Sequence, residues 1–307
     1  MTEPERILSE GILPASFFEP EVRCDFLVDE KRKKIWAVLL DMLLQVDRVC
    51  KKHGLRYSLA WGSMLGAVRH KGFIPWDDDL DILMPRDDFE ALMKLENEFR
   101  HPYFLQTVYN DRGYGFSYIK LRNSNTTYFA EHRYYWGFNS GLFLDIMPVD
   151  KARLDTADAI FDEVRELNEY NSAFMKIPGY QMNDKGRALL RRHYLLTPVE
   201  AYERMTRACM RHHDEDAEYI ACSISSQTPW KKHMWRAEAF ASEIDMEFEG
   251  LTFPVCVGYD HILSVLYGDY MQLPTLEQRL SGHDDSIFEP DESYLTYMPR
   301  HGVDIWR

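Results

Sequence analysis

The sequence has no stretch long and apolar enough to cross a membrane as a helix. The run from Trp36 to Leu40 is broken at once by Asp41, far short of the ~18 residues that a span needs. Nor is there an excess of positive charge: 36 Lys and Arg stand against 50 Asp and Glu, a formal net charge of −14. A chain so acidic is a poor candidate for non-specific binding to nucleic acid or an anionic membrane, and a polyanionic small substrate would need a local basic cluster or a divalent metal. Cysteines are few, five in number, far apart and without a C-x-x-C pair. They fit free thiols in a reducing cytoplasm. Residues 1–13 carry Glu3, Glu5, Arg6 and Glu10 where a secretory leader would be apolar. Walker A, strand-linked Gly-x-Gly-x-x-Gly, Gly-x-Ser-x-Gly and His-Glu-x-x-His are all missing. Their absence removes the P-loop, Rossmann, hydrolase and zinc-protease readings. What remains, with 45% hydrophobic and 28% charged residues in 307, is a globular chain of one large or two smaller domains.

Residues 1–30 read as an extended arm. Trp36, Leu39, Leu40, Leu43, Val46 and Cys50 recur at helical spacing, predicting a helix over 31–53 that Gly54 ends. A strand at 56–61, a short helix opening at Gly62-Ser63, a strand at 79–84 and a helix at 86–99 follow. Short extended runs occupy 103–108, 116–121, 127–130 and 142–146. Residues 154–213 are mostly helical, and a mixed tail holds a helix at 258–267. The change from β-rich to helical sequence places a boundary near 150.

One segment concentrates the chemistry. Four of the five residues from 77 to 81 are aspartates, and Leu80, Ile82, Leu83 and Met84 carry the run on as a strand. Alternation puts Leu80 and Ile82 on one face and Asp79 and Asp81 on the other. Carboxylates at i and i+2 have Cα atoms roughly 6.5–7 Å apart and can converge on one point. Unpaired they repel; a divalent cation of the Mg²⁺ or Mn²⁺ type removes the conflict. Upstream, Gly62-Ser63 ends a strand and opens a helix, a place where free N–H groups can seat a phosphate or where Ser63 simply caps. Arg69, His70 and Lys71 form the nearest basic cluster, either complementing a phosphate or serving as helix-end charges. Asp145 is a lone acid in an apolar strand and calls for a partner such as a metal. Lys120 and Arg122 flank Leu121 and point one way, toward phosphate or out of an exposed β face. His212-His213-Asp214 and His283-Asp284-Asp285 read as surface turns.

Together these features resemble the nucleotidyltransferase superfamily. More closely, Gly62 through Ile82 resembles, without a gap, the LicD-family signature G-[ST]-x-L-G-A-x-R-H-x-x-x-I-P-W-D-D-D-x-D-I. Further similar pieces are Lys120-Leu121-Arg122 with Thr126-Thr127, Leu144 to Pro148 with Asp150, Phe253-Pro254 with Tyr259, and Leu266 to Pro274, so the resemblance spans about 33–283. It implies an α/β (α+β) fold. A nucleotidyltransferase-like core with a small mixed β-sheet flanked by helices would occupy 31–150, after an arm over 1–30. A mainly helical, acceptor-shaping region and C-terminal tail would occupy 151–307.

The resemblance also implies a reaction. A CDP-linked alcohol, typically CDP-choline, donates its phosphoalcohol to a sugar hydroxyl of a cell-surface glycan or lipid-linked precursor, and CMP leaves. Asp79 and Asp81 would hold Mg²⁺ or Mn²⁺. Asp145 would complete the metal site or accept the hydroxyl proton, and Asp77 would support them. Gly62, Ser63, Arg69, His70, Lys71, Lys120 and Arg122 would face the substrate. Choline would meet aromatic faces such as Tyr134, Tyr135 and Trp136, unless these serve packing. CDP-ribitol or CDP-glycerol as donor, an NTP with release of pyrophosphate, and a non-catalytic scaffold are the competing readings. No nucleic-acid partner is expected. A lipid-linked acceptor would bring a cytoplasmic enzyme to the inner face of the membrane.

Overall fold

The computed structural model of the protein describes residues 1–130, 137–175, 183–224, 229–280, 283 and 286–302. The aromatic trio Tyr134, Tyr135 and Trp136 therefore lies outside the described residues, as do Asp284 and Asp285.

The N-terminal arm is folded, contrary to the expectation of an extended segment. Thr2 and Glu5 form a capping box for α1 (Glu3–Ser9), a local signal that a search for long apolar stripes passes over. Ile7 is fully buried, and the Arg6 Nη2 donates to Asp41 at 2.5 Å and to Tyr103 at 2.9 Å. A hairpin of β1 (Glu21–Arg23) and β2 (Phe26–Val28) follows.

Helix α2 (Glu30–His53) begins at Asp29, whose side chain accepts from the Arg32 N–H, and ends at Gly54 with φ 66°. Only glycine adopts that angle without strain. The predicted apolar stripe is buried, and it packs on the central sheet. Next come β3 (Ser58–Leu59), α3 (Trp61–Leu65) with a π-helical continuation Gly66–His70, β4 (Asp81–Pro85) and α4 (Arg86–Met93). Strands β5 (Tyr103–Gln106), β6 (Ile119–Asn123), β7 (Thr127–Ala130) and β8 (Leu142–Ala152) complete the first half.

Strand β8 is the axis of the fold. It pairs in parallel with β4, Asp81 opposite Asp145 and Pro85 opposite Val149. On its other edge it pairs antiparallel with β6 and then with β9 (Tyr219–Ala221). Strand β3 extends the sheet beyond β4, β5 beyond β6, and β10 (Met234–Arg236) beyond β9. This is the mixed, helix-flanked sheet expected. The sheet does not stop where helices take over: β8 runs through residue 150, and strands return after α5 (Leu154–Phe174), α6 (Asp184–Arg192) and α7 (Pro198–Cys209). The hairpin of β11 (Glu243–Phe248) and β12 (Leu251–Cys256) packs on β3. Helix α8 (Tyr259–Tyr267) lies against α3, and β13 (Ser286–Glu289) pairs with β7 before α9 (Tyr294–Arg300). No helix among the described residues is long and apolar enough to cross a membrane.

Candidate active site

The acidic segment is held from both sides before its side chains do anything. Trp36 Nε1 and Arg32 Nη1, both on α2, donate to the Asp77 carbonyl at 2.9 and 2.8 Å. The Ser63 hydroxyl accepts from the Asp81 N–H at 2.9 Å, the Ala60 N–H donates to the Asp81 carbonyl, and the Asp145 N–H to the Leu80 carbonyl. Strand β4 starts at Asp81, so Asp79 and Leu80 precede it. The expected alternation nevertheless holds: Leu80 and Ile82 are fully buried, while Asp79 and Asp81 remain partly open.

The carboxyls of Asp77 and Asp81 are pushed well above the usual carboxylate range, and that of Asp79 is raised. Burial is the largest cause for all three. Repulsion follows: Asp79 acts on Asp77, Asp79 and then Asp145 on Asp81, while His283 counteracts the rise at Asp79. Within the described residues, Asp77, Asp78 and Asp79 form the group whose ligand oxygens all lie within 4.8 Å of one another. The expected set of Asp79, Asp81 and Asp145 does not close to that spacing. Asp145 sits beside Asp81 across the parallel pair, but Lys120 holds its carboxylate in an ion pair. Hard carboxylate oxygens crowded this way, with one amine near them, fit a hard divalent cation in donor type and in charge.

The acids open into a cavity of about 670 Å³ whose walls include Trp61, Gly62, Arg69, Trp76, Tyr267 and Tyr270. A Cβ on Gly62 would stand 2.6 Å from Asp77 Oδ2, so glycine there lets the acid lie against the opening of α3. Ser63 is buried and grips β4 through Asp81.

The basic cluster at 69–71 is split by the left-handed turn at Lys71, φ 55°. Arg69 alone lines the cavity, and its guanidinium donates to the carbonyls of Tyr270 at 2.6 Å and Gln272 at 3.2 Å. His70 packs by Cys24 and Trp76, and its Nε2 accepts from Arg69 Nε at 2.9 Å. Burial pushes its pKa down to about 4 and keeps it neutral, which is wrong for holding phosphate. Lys71 points to the β11–β12 hairpin, 3.3 Å from Glu247.

Neither Lys120 nor Arg122 lies on an exposed β face; both are buried. Arg122 donates to Gln106 Oε1 and to the Gly141 carbonyl, so its guanidinium is occupied by the fold. Burial, opposed by Asp145, pulls the Lys120 amine down to about 8.

Sequence reasoning missed three members of the site. His283 is no surface turn: its Nδ1 lies 2.9 Å from Asp78 and 3.9 Å from Asp79, with its ring against Tyr128, Phe143 and Phe288. His212, which is not among the three, is likewise no surface turn: it is buried and bonded to Thr156 at 2.8 Å. Asp78 is buried beside His283. Tyr267 ends α8 before Gly268, as a capped helix would, but it also faces the acids. Burial and then the charges of Asp77, Asp81 and Asp79 raise its hydroxyl's pKa. Tyr267 and His283 lie more than 180 positions beyond Asp81, and no local pattern links them to 77–81.

A parallel strand pair bearing acids, a neighbouring helix opening and a cavity beside them are features of a nucleotidyltransferase-type domain. Residues 54–188 match the family model described as LicD/FKTN/FKRP, nucleotidyltransferase domain. The lipopolysaccharide cholinephosphotransferase LicD of Haemophilus influenzae is 27% identical over 254 residues, 80% of this chain and 93% of that protein. Uncharacterized proteins of Rickettsia prowazekii and Rickettsia typhi match shorter stretches: 34% identity over 76 residues, and 40% over 62 residues. They cover 25% and 20% of this chain and 28% and 20% of their own lengths. Residues 54–188 are thus similar to the LicD/FKTN/FKRP nucleotidyltransferase domain, and most of the chain is similar to a LicD protein.

Proposed function

We propose that the protein is a phosphotransferase that moves a phosphoalcohol, phosphocholine first among the candidates, from a CDP-linked donor to a sugar hydroxyl of a cell-surface glycan or its lipid-linked precursor. The observation that carries this reading is the crowding of Asp77, Asp79 and Asp81 beside Asp145, at the mouth of an aromatic-walled cavity, in a chain similar to this family. The related H. influenzae protein is a lipopolysaccharide cholinephosphotransferase by name, which supports phosphocholine and a glycan as the pair to test.

The chemistry balances simply. The sugar oxygen forms a bond to the distal phosphorus, the bond from that phosphorus to CMP breaks, and the hydroxyl proton passes to a carboxylate. Asp79 and Asp81 would hold Mg²⁺ or Mn²⁺, with Asp77 beside them and Asp145 as further ligand or proton acceptor. A bound ion would supply positive charge that offsets the charge developing on the leaving CMP. Arg69 positions the 267–274 segment that closes the cavity, and Ser63 fixes the start of β4. The faces of Trp61, Tyr267 and Tyr270 suit a trimethylammonium group, while Arg279 already covers Trp76.

The test is ³¹P NMR of the purified protein with Mg²⁺, offered CDP-choline, CDP-glycerol, CDP-ribitol, CDP-ethanolamine and the four NTPs. CMP appearing from one CDP-alcohol, and not from the Asp81→Asn variant, is the expected result. Pyrophosphate released from an NTP would replace this reading with nucleotidyl transfer. Silence with every donor, in the presence of glycan acceptors too, overturns the catalytic reading.

A further inference from the structure

From Ala237 to Pro299 the chain carries thirteen Asp and Glu and a single Lys or Arg, Arg279. An arginine placed for solubility among so many acids would pair with one of them. Among the described residues this one meets no carboxylate. Its Nε donates to the Pro274 carbonyl at 3.0 Å, its Nη1 donates to the Cys24 carbonyl, and its guanidinium carbon stands 5.0 Å from the centre of the Trp76 ring. The fork of a guanidinium lets one side chain hold three groups from three parts of the chain in fixed directions.

Each of the three bears on the acid cavity. Trp76 directly precedes Asp77, is 8% exposed and lines the cavity. Phe26 of β2 and His70 meet its ring edge-on, with centres 6.1 Å away in both cases. Cys24 and Asp25 make the turn between β1 and β2, both left-handed, with φ 51° and 59°. Residues other than glycine adopt that conformation at a cost and keep it where their surroundings fix it. Pro274 belongs to the segment 271–280, which is exposed throughout except at Pro274 and Arg279 themselves. Gln272, Leu273, Gln278 and Leu280 of this segment nevertheless form part of the cavity wall. A wall with so little burial of its own is held by its tethers: Arg69 at the carbonyls of Tyr270 and Gln272, and Arg279 further on.

We propose that Arg279 is a positioning residue: by clasping the β1–β2 turn and the 271–280 segment to Trp76, it fixes the cavity wall beside Asp77 against which the donor binds. The test sets turnover beside thiol labelling, both on the full chain. Arg279→Ala should raise the KM for the CDP-alcohol that the wild type uses by about tenfold and leave kcat within about threefold. A merely structural role acts otherwise, since a less stable protein has fewer working molecules, which lowers kcat and leaves KM alone. Arg279→Lys keeps the charge over Trp76 and should fall between wild type and Arg279→Ala.

Cys24 reports on the clasp with no substrate present. It is half-buried, while Cys50, Cys209, Cys222 and Cys256 are buried, so iodoacetamide followed by peptide mass spectrometry reads its accessibility. Its alkylation should be at least about threefold faster in Arg279→Ala. Unchanged KM in both variants, a loss confined to kcat, or Cys24 reacting at the wild-type rate overturns the proposal. It rests on the phosphotransfer reading for its KM arm alone. Should the wild type turn over no donor, that reading fails, and the Cys24 rate by itself decides whether the clasp stands.

Discussion

The two ends of the β4–β8 pair carry similar acids in opposite circumstances. At one end, Asp150 is buried and receives Arg86 in a two-pronged ion pair at 2.7 and 2.8 Å, with Glu90 joining at 3.1 Å. At the other, Asp81 and Asp145 lie opposite each other, with Asp77 and Asp79 close by and Lys120 as the nearby amine. The chain can match a buried carboxylate with a guanidinium five positions further along, yet at the cavity it leaves negative charge in excess. Charge left unmatched in a half-buried place raises pKa values and costs stability. Under the proposed function that excess of carboxylate is what holds a cation, whereas Arg86–Asp150 is a joint.

The comparison breaks most visibly in activity. Asp81→Asn should cut turnover by about 10³-fold, the scale of losing a main electrostatic element, while raising the melting temperature, since repulsion is relieved. A fall in melting temperature would place Asp81 among the structural acids instead. Asp150→Ala should do the reverse and cost about 3–5 kcal/mol of stability, because Arg86 is left buried without a partner. The double change Arg86→Met with Asp150→Leu should recover most of that loss in a denaturant titration; failure to recover would mean that the pair does more than hold the strands.

Gly62→Ala should lower turnover by about tenfold, as displaced supporting groups do, since the new Cβ would push on Asp77. Wild-type turnover in that variant would detach Asp77 from the chemistry.

The pH dependence sharpens the contrast further. The raised carboxyls bind more protons in the folded than in the unfolded chain, so their contribution to stability falls as pH rises above about 4. The stability advantage of Asp81→Asn over wild type should therefore be present at neutral pH and shrink toward pH ~4. His70 and His233, pushed down to about 4 by burial, destabilise both proteins alike as pH falls below about 6.5, so the difference between the proteins is the quantity to follow. A difference that is flat with pH contradicts the repulsion argument. The smallest effect belongs to Lys71→Ala, expected within about 0.5 kcal/mol of wild type and fully active. Arg69→Ala should raise the donor KM, and equal effects at the two positions would restore the undivided basic cluster.

Much of this was legible in the chain. The α2 stripe, its Gly54 stop, the Gly62–Ile82 segment and the alternation around Leu80 follow from local periods and steric rules, which act within a few residues. The folded N-terminal arm was missed because its signal is a single capping box and one buried Ile7. Lys120 and Arg122 were read for direction but not for depth: period two says which way a side chain points, while burial depends on what covers that face. Tyr267 was read as part of a similar piece and His283 as a surface turn, but that both face the acids could not be read, since contact between positions so far apart is set by packing.

By itself, the sequence determined the acids and their spacing, because carboxylates two residues apart on one strand face share a side whatever surrounds them. Only the tertiary structure decided which charges stay unmatched. It gave Arg86 to Asp150, Arg122 to Gln106 and Gly141, and Lys120 to Asp145, and it turned Lys71 away. The physical reason is that pairing depends on distance and dielectric after folding, and neither is a property of neighbours along the chain.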